Sequence, residues 1–160
     1  MSPRVGVGYD VHPFSADRSR VLILGGVQFP GEPALSGHSD ADVVAHAVAD
    51  ALLGAAGLGD IGMYFSDQDE RWEGADSLDL LARVAELVHR KGFTLVNADC
   101  TVICERPRLV GSREEMMAKL STAASGPVHV KATRPEGLGP LGRQEGIACT
   151  AVALLEEVSS

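Results

Sequence analysis

No stretch of this chain approaches the roughly 18–20 consecutive apolar residues of a membrane-spanning helix, so no such span is expected. Basic residues are outnumbered, 14 Lys and Arg against 22 Asp and Glu, and the net charge of −8 argues against a non-specific nucleic-acid binder. It leaves anionic small molecules open, because a few local cations or metals set the potential of a site. Cysteine is scarce and odd in number: Cys100, Cys104 and Cys149 form no C-x-x-C pair. They read as small buried hydrophobes in a reducing compartment. The first residues, MSPRVGVGYD, lack the basic and apolar regions of a signal peptide, so the cytoplasm is the expected location. There is no internal repeat, no linker, no P-loop and no G-x-S-x-G elbow. What remains is a single domain over residues 1–160, with 45% hydrophobic residues and enough length to bury its own core.

The most informative stretch is Gly37 to Gly62, GHSDADVVAHAVADALLGAAGLGDIG. Ser39 is an expected N-cap, with Asp42 completing a capping box. Val43, Val44, Ala47, Val48, Ala51, Leu52 and Ala55 supply the apolar side, and Gly57 and Gly59 the stop. Asp42, His46 and Asp50 follow at i, i+4 and i+8, on one helix face. Two carboxylates and an imidazole there suggest a metal ligand with a carboxylate behind it, or a solvated polar face. Arg4 to His12 reads as a strand ended by Pro13. Asp10 and His12 are two apart, so both point to one side. Together with His46 they make a His/His/Asp set, which for zinc leaves a fourth position for water or substrate.

Elsewhere Arg20 to Phe29 reads as a strand interrupted by Gly25 and Gly26. Phe65 to Gly74 is polar and aperiodic, an expected mobile loop. Ser77 to Lys91 is an amphipathic helix, and Phe93 to Glu105 alternates as a strand until Pro107 breaks it. A helix is expected from Ser112 to about Ser125, with Ser112 and Glu115 in capping-box spacing. Val128 to Thr133 is a strand, Pro135 to Gly142 a loop, and Ile147 to Glu156 a last, mostly apolar strand. This order predicts an α+β fold, a mixed sheet with helices on one face. An uncovered apolar sheet face would need a partner, so oligomerisation is expected.

The segments YDVHPF, GHSDADVVAHAVADALLGAAGLGDIG, VKAT and GRQEGIA, in this order, resemble the 2-C-methyl-D-erythritol 2,4-cyclodiphosphate synthases. The resemblance implies a homotrimer with its sheets packed around the axis and its sites between subunits. It implies the conversion of 4-diphosphocytidyl-2-C-methyl-D-erythritol 2-phosphate to the cyclic diphosphate and CMP. It places zinc on Asp10, His12 and His46, and a second divalent ion, magnesium or manganese, on the substrate diphosphate beside Glu136. His38 and Ser39 would contact a substrate phosphate, and Asp60, Ile61 and Gly62 the methylerythritol part. Phe65, Ser66, Asp67, Gln68 and Asp69 would cover the ligand, with Ser66 in place of the usual Pro.

Cys104, Pro107, Arg108, Leu109 and Val110 would form the cytosine pocket, with Arg108 in place of a frequent Lys. Thr133 and Arg134 fall where relatives carry successive Thr residues, one of which stabilises the transition state. Arg134 either supplies charge to the phosphate or leaves the work to Thr133 and the backbone. Arg143 would sit near a prenyl diphosphate on the trimer axis, or else pair with a carboxylate such as Glu145. Ala41 stands where Gly is usual and is expected to favour the helix. A zinc phosphohydrolase and a non-catalytic trimeric ligand-binding module are the competing readings.

Overall fold

The computed structural model describes residues 2–158. Four strands form one sheet: β1 (Arg4–Pro13), β4 (Phe93–Ile103), β5 (Val128–Thr133) and β6 (Gly146–Glu157), in the order β1-β6-β4-β5. β6 runs antiparallel to β1 and β4, while β4 and β5 are parallel, joined by helix α4 (Arg113–Ala124). The sheet is therefore mixed, as expected. Helices α1 (Val43–Ala56), α3 (Ser77–Arg90) and α4 pack on one face of it. The opposite face carries Val5, Val7, Tyr9, Val11 and Val152, each between 46% and 69% exposed. Among the described residues no helix is long and apolar enough to cross a membrane.

The register of α1 on β1 comes from small residues. Gly6 and Gly8 point inward from β1, and the backbone of α1 lies directly over them. A Cβ on Gly8 would stand 1.9 Å from the Ala47 carbonyl oxygen, and one on Gly6 2.1 Å from that of Ala51. Two residues of strand advance about 6.6 Å and four of helix about 6 Å, so the two repeats stay nearly in step. Moving from Gly6 to Gly8 moves the contact from Ala51 to Ala47. The next inward position on β1 is Asp10, and it meets His46.

Several local expectations need correction. Arg20 to Phe29 is a hairpin, β2 (Leu22–Leu24) and β3 (Val27–Phe29), in a sheet of its own. Gly25 and Gly26 make its turn with φ of 58° and 76°, the left-handed pair that a two-residue hairpin loop requires. The N-cap of α1 is Asp42, not Ser39. The fully buried Asp42 carboxylate accepts hydrogen bonds from Val44 and Ala45 N–H, and also from Gly25 and Gly26 N–H at 2.8 and 2.7 Å. Burial pushes its pKa up to about 6 against the pull of these amides. Asp42 thus leaves the proposed metal face and becomes structural.

Ala41 lies before the helix with φ of 59°, so the expected helix benefit reverses into a cost: its Cβ crowds the carbonyl in this left-handed conformation. Ser112 precedes α4 without a side-chain cap bond. The polar 65–74 segment is not wholly aperiodic: it follows a short helix α2 (Ile61–Tyr64) and contains a 3-10 turn (Glu70–Trp72). The Phe65 and Trp72 rings meet edge to face at 4.9 Å within it. A last single-turn helix, α5 (Gly139–Gly142), interrupts the loop before β6.

Candidate active site

Asp10, His12 and His46 converge at the end of β1. Their ligand atoms all lie within 4.8 Å of one another. Asp10 Oδ2 is 2.8 Å from His12 Nε2 and 3.1 Å from His46 Nδ1, and the two ring nitrogens are 3.4 Å apart. Each ring is held from behind. His12 Nδ1 donates to the Ser36 carbonyl at 2.9 Å, which leaves Nε2 for the cluster. His46 Nε2 lies 2.8 Å from Ser77 Oγ and 3.2 Å from Ser39 Oγ. Burial pushes the Asp10 carboxyl up, but hydrogen bonds and charge from His12 and His46 outweigh it and hold its pKa at about 2. The same pairing raises that of His46 against the effect of its burial. Two imidazoles, each fixed by a second contact, and one carboxylate suit a divalent ion that keeps an open position.

Asp50, the third acidic or imidazole residue on that helix face, is no part of this set. Its carboxylate accepts from Ile61 N–H at 2.8 Å, and burial raises its pKa. Asp60 caps α2 by accepting from Met63 N–H at 3.1 Å. Ile61 and Gly62 form the first turn of α2 behind it. His38 Nε2 donates to the Asp69 carbonyl at 3.0 Å, and Gly74 N–H donates to the His38 carbonyl. The 65–74 segment is therefore tied at its middle and at its far end to His38, the residue expected to bind phosphate. Ser66 and Asp69 are half-buried there, while Asp67 and Gln68 face solvent. The Ser39 hydroxyl is turned inward, accepting from Ala41 N–H, and the residue is 8% exposed. Arg20 was not anticipated: its guanidinium donates to the Gly37 and Ser39 carbonyls, on either side of His38.

A second group forms where β4 and β5 end. Cys104, Pro107, Arg108, Leu109, Val110, Thr133, Arg134 and Glu136 surround a cavity of about 420 Å³, joined by Glu105 and Arg113. Pro107 is preceded by a cis peptide bond. Burial pushes the Cys104 thiol up to about 11, so it is no nucleophile. Glu136 has φ of 55°, and Glu105 accepts from the next amide, Gly137 N–H, at 2.8 Å. Arg143 pairs with Glu145 at 2.7 Å.

The registers His12 with Ile147, Ile103 with Ala148 and Ile103 with Thr133 place both groups at one end of the sheet. They stand at its opposite edges, however, three strand spacings or about 14 Å apart. None of the three metal-ligand candidates lines the cavity. Glu136 is thereby separated from Asp10, His12 and His46 within one chain.

Comparison with known proteins extends over nearly the whole molecule. The YgbB family model matches residues 3–156. A 2-C-methyl-D-erythritol 2,4-cyclodiphosphate synthase of Alkaliphilus oremlandii is 52% identical over 153 residues, which is 94% of this chain and 96% of the relative. The IspF of Plasmodium falciparum, solved as a CDP complex, superposes with a TM-score of 0.84 at 30% identity, covering 99% of this chain and 98% of that one. The bifunctional IspDF of Campylobacter jejuni superposes with a TM-score of 0.93 at 38% identity, over 99% of this chain and 43% of the larger protein.

Proposed function

The chain belongs to the YgbB family, and from that membership we infer that it converts 4-diphosphocytidyl-2-C-methyl-D-erythritol 2-phosphate to 2-C-methyl-D-erythritol 2,4-cyclodiphosphate and CMP in non-mevalonate isoprenoid precursor synthesis. The observation that carries the chemistry is the convergence of Asp10, His12 and His46. In this reaction an oxygen of the 2-phosphate attacks the β-phosphorus, the bond from that phosphorus to the CMP oxygen breaks, and CMP leaves as an anion. The nucleophile is already ionised, so the absence of a Ser or Cys elbow is consistent with the chemistry. The barrier lies in bringing phosphates together and aligning them.

Asp10, His12 and His46 would hold zinc, and Glu136 a magnesium or manganese ion with the diphosphate. Such ions, when bound, neutralise phosphoryl charge and orient the oxygens. His38 binds phosphate, its Nε2 free to do so only after parting from the Asp69 carbonyl, and Ser39, whose hydroxyl is turned inward, does so through its backbone N–H. Asp60, Ile61, Gly62 and the 65–69 segment bind and cover the methylerythritol part. The cavity behind Pro107, Leu109 and Val110 takes the cytosine. Thr133 and Arg134 face the reacting phosphates, the guanidinium supplying charge where relatives carry a hydroxyl.

Two observations favour a homotrimer with shared sites. One is the exposed apolar face of Val5, Val7, Tyr9, Val11 and Val152, which packing around a three-fold axis would bury. The other is the gap between the two half-sites within one chain. A prenyl diphosphate on that axis would have to draw Arg143 away from Glu145. A protein of this kind works in the cytoplasm on a soluble, nucleotide-linked substrate.

The test is turnover of the diphosphocytidyl substrate in ¹⁸O-water. CMP and unlabelled cyclic diphosphate should appear in equal amounts, and His46→Ala should abolish both while the protein stays folded by circular dichroism. Label in the product would mean water is the nucleophile and a phosphohydrolase is present. No CMP at all, with metal supplied, would rule out the reaction.

A further inference from the structure

We propose that Asp40 and Ser77 are positioning residues that fix the proton of His46 and thereby set how tightly the Asp10, His12, His46 group holds its ion. The inference rests on the metal reading above and goes beyond it to two residues outside the ligand set.

Asp40 is a carboxylate that receives Ser77 N–H and Asp42 N–H, each at 3.1 Å, and the Ser77 hydroxyl is hydrogen-bonded to its Oδ1. A carboxylate can only accept, so the one hydroxyl proton of Ser77 points to Asp40. The Ser77 oxygen is then left to accept from His46 Nε2, 2.8 Å away. Ser39 Oγ, at 3.2 Å, is the weaker partner of the same nitrogen. In the neutral, ion-binding ring the proton therefore sits on Nε2 and Nδ1 keeps its lone pair for the ion, whereas in the protonated ring Nδ1–H donates to Asp10 Oδ2 at 3.1 Å. Ser77 is 1% exposed, so bulk water does not substitute for it. A carboxylate acting through a hydroxyl also makes the imidazole a better donor to a cation.

The geometry has a second consequence. Ser77 is the first residue of α3, and Asp40 lies just ahead of α1. The bond that orients the ligand also docks the start of one helix onto the other. A purely structural role for Ser77 is thus the rival explanation, and the two differ in what they move. Docking alone changes the melting temperature of the metal-free protein. Proton placement changes zinc affinity in protein that is still folded.

The experiment strips the full chain of metal and titrates it with Zn²⁺ against a chromophoric chelator, with the metal-free fold followed by circular dichroism. Ser77→Ala and the isosteric Asp40→Asn should each weaken zinc binding roughly 10- to 100-fold. Because Asp40 acts through Ser77, the double variant should be little weaker than Ser77→Ala alone, whereas independent effects would multiply. Parental zinc affinity in folded Ser77→Ala overturns the proposal, as does a double variant whose losses multiply. If Ser77→Ala does not fold, Asp40→Asn decides by the same titration, and parental affinity there overturns it. His46→Ala serves as the reference: full zinc occupancy in that variant would remove the metal reading itself, an outcome distinct from failure of the relay.

Discussion

Around Asp10, His12 and His46 the chain supplies its own support: both rings are bonded from behind, and the helix bearing His46 rests on two glycines with no space between. Around Thr133, Arg134 and Glu136 the side chains stand exposed, on a turn whose glutamate is in the left-handed region. One half of the site is organised by packing within the subunit. The other half offers an open wall and an arginine-rich rim. Pre-organised ligand atoms lower the entropic cost of binding an ion, whereas an exposed position such as Arg134 can change without disturbing a core.

The sharpest way to break the contrast is to damage the packed half. Gly8→Ala puts a Cβ 1.9 Å from the Ala47 carbonyl oxygen, so α1 must retreat by about 1.5 Å to reach ordinary contact at 3.4 Å. We expect a loss of about 3 kcal/mol or more in stability, together with a zinc affinity reduced by at least about a hundredfold. Chemical denaturation and zinc titration check both. Unchanged zinc binding would show that β1 and α1 need not be in register for the ligands to meet.

A second test asks whether the open half belongs to a neighbour. His46→Ala disables the metal half and Leu109→Trp blocks the cavity, so each homotrimer should be nearly inactive. In a three-fold ring every interface is head to tail, and a mixed trimer joins one good metal half to one good pocket half. Random equal mixing by co-expression makes about three-quarters of trimers mixed, each with about one working site in three, for about a quarter of wild-type activity. Verified mixed trimers as inactive as the parents would place the whole site within one subunit, or couple the sites.

The smallest effect concerns the edge of the packed half. Ala41→Gly removes a Cβ from a left-handed position but also a buried methyl. Relief of strain should exceed that loss, giving a few tenths to about 1 kcal/mol of added stability. A lower melting temperature would show that the methyl contributes more than the strain costs.

The ligand trio was legible because a two-residue strand spacing and a helix position carry their own geometry. Residues that act by long-range hydrogen bonds were not. Ser77 reaches His46 across 31 residues and Arg20 reaches Ser39 across 19, and no periodicity announces either. α2 has four residues, too few for a helical pattern to show. The hairpin was legible and misread: two glycines between short apolar runs are a turn signal, not an interruption. Ser39 looked like the cap because it has the preferred side chain, but Ala41 in a left-handed conformation delays the helix until Asp42. The two half-sites could be named from resemblance, but the distance between them followed only from strand order.

Asp42 binds two parts of the chain with one carboxylate: the first turn of α1 and the glycine turn 16 and 17 residues before it. The start of that helix is therefore not a local event. It can unwind at its N-terminal end only if the β2–β3 turn gives up its partner too, so amide exchange at Gly25, Gly26, Val44 and Ala45 should report a single opening motion. A helix end that would ordinarily fray is made as durable as the hairpin beneath it, one turn ahead of His46, the proposed metal ligand.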